Sequence, residues 1–178
     1  MIAQRKNTGF SMIEVLITLV ILLIGLLGLA GLQVKALTAQ MESYQRAQAL
    51  VLLKDMADRI NANRKNAASY VTTLDPAVSC PAVGATTTSR DLNEWCNALL
   101  GAAEVQGTAK VGAMIGARGC ITQTVAPVTG VPAQYLIAVA WQGLNNTVAP
   151  TITCGQNQYG NEALRRVIAI PVNIADLL

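Results

Sequence analysis

Across residues 10–34 the chain carries four strongly polar side chains, Ser11, Glu14, Thr18 and Gln33, and within 15–32 only Thr18 breaks an apolar run. No other feature restricts the fold so tightly. A helix rises about 1.5 Å per residue, so this stretch reaches about 37 Å, enough to cross the roughly 30 Å hydrocarbon core of a bilayer. Residues 10–34 are therefore predicted as a transmembrane helix. The same segment explains why 52% of the chain is apolar and its mean hydropathy is +0.41, above the soluble norm.

The flanks set the orientation. Residues 1–9, MIAQRKNTG, hold Arg5 and Lys6, so the positive-inside rule leaves them in the cytoplasm and sends everything after Val34 outward. A cleavable secretory signal is the common alternative, but its apolar core is shorter, about 7 to 15 residues. A lipoprotein cleavage box would need Cys where the chain has Leu32.

All four cysteines, Cys80, Cys96, Cys120 and Cys154, lie on the outward side, where an oxidising compartment favours disulfides. Four cysteines allow three pairings. Cys80 with Cys96, bracketing a short loop and helix, and Cys120 with Cys154, joining two strand regions, is the preferred one. Zinc is the rival, but no Cys-x-x-Cys occurs and the chain lacks histidine. No metal or cofactor is expected.

After Val34 the apolar positions thin to Leu37, Met41, Tyr44, Val51, Leu52, Met56 and Ile60, a helical spacing. Neither Gly nor Pro interrupts 32–66, so residues 35–66 are predicted to continue the helix as an amphipathic segment whose stripe needs covering. The remainder, 67–178, is the expected cover. Residues 67–109 are rich in Ala, Thr, Ser, Pro and Gly and read as a loop, with a short helix at 90–100 started by Ser89 or Asp91. Within 110–178 three runs read as strands: 110–125, interrupted at 116–119, 134–142 and 163–174. Trp141, Gly143, Asn145 and Asn146 mark the exit of the middle run. The fold class is thus α+β, a lollipop of one long helix packed on a small antiparallel sheet head.

Lys6, Gly9, Phe10, Ser11, Met12, Ile13 and Glu14, followed by the aliphatic run, closely resemble the leader and first turns of type IV pilins. The resemblance implies that a prepilin peptidase cuts the Gly9–Phe10 bond and methylates the new amine of Phe10. It also implies anchoring in the inner membrane with the leader in the cytoplasm and the head in the periplasm, then incorporation into a pilus at the cell surface. SRDLNEWCNAL (89–99), GARGCI (116–121), YLIAVAWQG (135–143) and LRRVIAI (164–170) resemble head segments of the minor pilins called type IV pilus modification proteins. That likeness implies partners among other minor pilins and the major pilin, met through their N-terminal helices, with a large adhesin at the fibre tip. Many major pilins have a proline in the apolar segment; here Gly31 stands where it would fall, which favours a minor subunit.

Glu14 is costly in lipid unless paired. The nearest base beyond Arg5 and Lys6 is Lys35, roughly 30 Å along the helix. Cleavage after Gly9 would create an ammonium on Phe10, and in a stagger of parallel helices the amine of one neutralises the acid of the next. Glu14 then acts as a register device; the alternative is an acid solvated at the headgroup boundary. Gly25, Gly28 and Gly31, every third residue, either let a second helix approach closely or are ordinary membrane glycines.

Few other functions fit. The chain has 13 basic and 10 acidic residues; without Arg5 and Lys6, 11 basic residues stand against 10 acidic ones at a net charge of +1, and the adjacent Arg165 and Arg166 face opposite ways on a strand, so no nucleic-acid partner is expected. Asp91 and Glu94 suit a solvated helix face better than acid–base catalysis, Trp95 and Trp141 suit a core, and no enzyme is expected. A pseudopilin of a type II secretion or DNA-uptake system and a membrane-anchored binding protein with an uncut N-terminus remain the alternatives to a minor pilin.

Overall fold

The computed structural model describes residues 9–101, 105–107, 109–110, 112, 114–128 and 130–175, so residues 1–8 of the expected leader, with Arg5 and Lys6, lie outside the described residues. The chain forms two compact units, Met1–Met41 and Glu42–Leu178. Helix α1 spans Met12–Ala62.

In the first unit every described residue through Leu37 is exposed. The most apolar window of α1 has a mean hydropathy of 2.9 with none of it buried, long and apolar enough to cross a membrane. The hydroxyls that interrupt the aliphatic surface are satisfied locally: Thr18 donates to the Val15 carbonyl (2.8 Å) and Thr38 to that of Val34 (2.9 Å). Such back-bonding hides polar hydrogens that lipid could not solvate.

In the second unit four antiparallel strands, β1 (Thr72–Leu74), β4 (Ile115–Val125), β5 (Ala133–Gln142) and β6 (Arg165–Ile174), lie in the order β1-β4-β5-β6. A separate hairpin pairs β2 (Val105–Gln106) with β3 (Ala109–Lys110). Side-chain alternation gives the sheet two apolar faces. From one, Ile121, Tyr135, Ile137, Val139, Trp141 and Val172 join Ala49, Leu53, Met56, Ala57 and Ile60 of α1 in the main core. From the other, Cys120, Ala138 and Ala140 pack with Cys154 and Tyr159 of the long return loop between β5 and β6. Alanine on that face lets the loop backbone lie close.

The stripe of α1 that the sheet covers differs from the expected one. Ile60 and Met56 are buried, but Leu37, Met41, Tyr44 and Val51 are exposed, and the buried turn between them is made by Gln45, Ala49, Leu53 and Ala57. Alanines allow close packing of helix on sheet, and the buried glutamine is accommodated because Trp141 donates to it.

Several boundaries also move. The short helix, α2, spans Thr87–Leu99 rather than 90–100, because neither Ser89 nor Asp91 starts it: Thr86 caps it, its hydroxyl accepting from the Ser89 N–H at 3.2 Å. Residues 67–109 include β1 and part of a 3-10 segment, Arg64–Tyr70, besides α2. Residues 116–119 do not interrupt the strand but lie within β4, with a register shift between Ile115 and Arg118, where Gly116 takes φ +60°. Residues 163 and 164 belong to a 3-10 turn, Glu162–Leu164, that precedes β6. Trp141 is inside β5, and the chain leaves the strand after Gln142.

Candidate functional site

The amino end of α1 is built by Ser11. Its carbonyl accepts from the N–H groups of Glu14 (3.0 Å) and Val15 (3.3 Å), and its hydroxyl from that of Ile13 (3.4 Å). Ser-Met-Ile-Glu has the serine–glutamate spacing of a capping box, a signal present in the sequence but overlooked there. Glu14 falls in the first turn, where the unpaired N–H groups of the helix favour a negative charge. Among the described residues its carboxylate has no ion-pair partner. Gly9 is exposed and Phe10 is 84% exposed; both precede the helix. A Cβ added at Gly25, Gly28 or Gly31 would meet nothing within 4 Å, so that side of the helix is open in the free chain.

Polar contacts fasten residues 42–62 of α1 inside the second unit. Glu42 Oε1 accepts from the N–H groups of Leu144 and Asn145 and from Arg166 Nη2, all at 3.2 Å. Trp141 Nε1 donates to Gln45 Oε1 (3.2 Å), and Trp95 Nε1 to the Leu52 carbonyl (3.0 Å). Arg59 bridges Asp55, Asp91 and Glu94. Burial alone would lower the Arg59 pKa, but hydrogen bonds with Glu94, Asp55 and Asp91 outweigh it and raise it. Tyr70 donates to Asp91 Oδ2 and accepts from Asn63 (3.0 Å). Asp91 and Glu94 thus share one guanidinium, an α1–α2 clamp rather than an acid–base pair.

The return loop is held from beneath. Arg165, 1% exposed, donates to the carbonyls of Ile152, Cys154 (3.0 Å) and Pro150 (2.9 Å) and to Glu162 Oε2 (2.6 Å). The Asn157 N–H, with help from Arg165, keeps the Glu162 carboxyl below its usual range. Arg165 and Arg166 face opposite ways along β6, one into the loop and one to Glu42. Disulfides join Cys80 to Cys96 and Cys120 to Cys154. The first ties the loop before α2 to that helix; the second ties β4 to the return loop.

Two family models match abutting stretches of the sequence. The prokaryotic N-terminal methylation motif covers residues 4–30, and the Tt1218-like model, described as type IV pilin Tt1218, covers residues 31–103. Over residues 4–103 the chain is similar to type IV pilins. No curated protein and no solved structure matches it. Strands β4, β5 and β6 lie beyond both matches. The family is a structural one, and the methylation motif implies processing by a prepilin peptidase and assembly with other pilins. Together with the apolar helix, the motif points to membrane anchoring and pilus assembly.

Proposed function

We propose that the chain is a minor pilin of the PilV type, made as a membrane-anchored precursor with residues 1–9 as its cytoplasmic leader. Prepilin peptidase cuts between Gly9 and Phe10 and methylates the amine of Phe10. Residues 10–34 then leave the inner membrane to pack beside the helices of other minor pilins and the major pilin, priming assembly beneath a tip adhesin. Residues 35–66 continue the helix into the head, 67–178, outside the cell.

The observation that carries this reading is Glu14: an acid without an ion-pair partner among the described residues, in the first turn of an exposed apolar helix and four residues beyond the amine that cleavage inside the methylation motif would create. Two opposite charges within apolar surroundings attract strongly and only at the matching stagger. The open flank at Gly25, Gly28 and Gly31 supports close approach by a second helix. The absence of proline from 10–34 supports a minor subunit. Mass spectrometry of the native chain tests the reading. An N-methylated Phe10 at the start agrees with it, and a chain beginning at Met1 in cells that carry the peptidase refutes it.

A further inference from the structure

A cleft of about 300 Å³ opens where the 3-10 segment meets the far end of the sheet. Its walls are mostly hydrocarbon, from Ala67, Ala133 and Ile174 among others. Tyr135 also lines it, only 2% exposed, and its hydroxyl has no hydrogen-bond partner among the described residues. The hydroxyl stays within reach of the cleft's solvent, so a ligand entering the cleft would take over its hydrogen bond from water. Burial pushes the phenol pKa up, so it stays a proton donor at neutral pH.

Two cations, Arg64 and Lys65, also line the cleft and are exposed. Arg59, Arg118, Arg165 and Arg166 all engage a carboxylate, whereas neither Arg64 nor Lys65 has one among the described residues. The cleft is therefore lined by an arginine, a lysine and a tyrosine whose hydroxyl has no partner among the described residues, with alanine, proline and isoleucine otherwise. That donor set fits the two oxygens of a carboxylate. The further oxygens of a phosphate would face methyl groups and lose their water without compensation.

We propose that this cleft binds an aliphatic carboxylate, Arg64, Lys65 and the Tyr135 hydroxyl taking its oxygens and the alanine and isoleucine walls taking its alkyl body. At the low end of ligand-site volumes, it suits a short chain. A free short-chain fatty acid and the terminal carboxylate of a peptide ending in an aliphatic residue present the same chemistry.

The full chain in detergent, with its tyrosines carbon-13 labelled, is titrated with hexanoate, N-acetyl-leucine, hexanamide and inorganic phosphate while the Tyr135 ring resonances are followed. Saturable shifts with a carboxylate are expected, hexanoate reporting the free-acid source and N-acetyl-leucine the peptide source. Hexanamide and phosphate should leave Tyr135 unmoved. Arg64→Gln with Lys65→Gln, both at exposed positions, should weaken carboxylate binding about tenfold or more. Tyr135→Phe, read by the neighbouring Ile174 methyl, should fold normally and bind several-fold more weakly. No saturable shift with either carboxylate, equal binding of hexanamide or phosphate, or undiminished binding by the double variant would overturn the assignment.

Discussion

Trp141 and Gln45 lie 96 residues apart in sequence and meet in the core, the indole N–H donating to the amide oxygen at 3.2 Å. Both are nearly inaccessible, at 3% and 1% exposed. Each satisfies a polar group that would otherwise be stranded. Gln45→Leu keeps the side chain's bulk but leaves the indole N–H unpaired, so it should cost about 1–3 kcal/mol. Adding Trp141→Phe to that variant should cost less than Trp141→Phe does alone. Urea unfolding of the four proteins in detergent, followed by near-ultraviolet circular dichroism, gives the coupling.

Gly119 sits beneath the Trp95 ring. A Cβ there would fall 2.4 Å from Trp95 Cζ3 and 2.8 Å from Leu99 Cδ1, so α2 would have to lift off β4. Gly119→Ala should destabilise the head by about 1–3 kcal/mol, the usual cost of overpacking. Gly107→Ala is not a suitable control, since φ there is +65°. Gly25→Ala, open on all sides, should leave the urea midpoint of the head unchanged.

Alkali should loosen the head through Tyr159. Burial pushes this phenol up to about 12 from 10, and its hydroxyl donates to the Gly116 carbonyl at 2.9 Å. Between those values the unfolded chain has released a proton that the folded chain still holds. Stability is therefore complete below about pH 10 and falls as pH rises toward 12. Burial raises Tyr70 and Tyr135 in the same direction. Unfolding midpoints measured from pH 9 to 12 should fall, and Tyr159→Phe should flatten the decline; a slope unchanged in that variant would assign the effect elsewhere.

At the other end of the chain, Glu14→Ala removes a charge but keeps the apolar anchor. Leader removal should persist while incorporation into sheared pili drops about tenfold or more, the loss expected for one ion pair shielded from water. Gly9→Val should leave an uncut precursor in the membrane fraction. Immunoblots of membranes and pili read both outcomes, and pili with normal content of the Glu14→Ala chain would reduce Glu14 to a solvated first-turn acid.

What was legible in the sequence was whatever depends on many residues at once. An apolar run too long for a globular helix and strands rich in valine, isoleucine and tyrosine were visible because each position repeats the same preference. The face of α1 that turns inward was not. Counting large side chains favoured Tyr44 and Val51, whereas the sheet accepts Ala49 and Ala57, whose small volume carries no periodic signal. Strand β1 has three residues and exists through its pairing with Gly119, Cys120 and Ile121, a partner far along the chain. Gln45 and Arg165 were hidden for a related reason: a polar residue looks like surface until the groups that satisfy it are brought to it by the fold. The Ser11 cap, by contrast, was readable and needed only attention to the spacing of Ser and Glu.

Because Arg165 is sealed from water and grips three main-chain carbonyls as well as one carboxylate, mobile counterions have no path to it. The loop it secures should feel little of the surrounding ionic strength. A fibre subunit fastened in this manner keeps that corner of its head alike in fresh water and in brine.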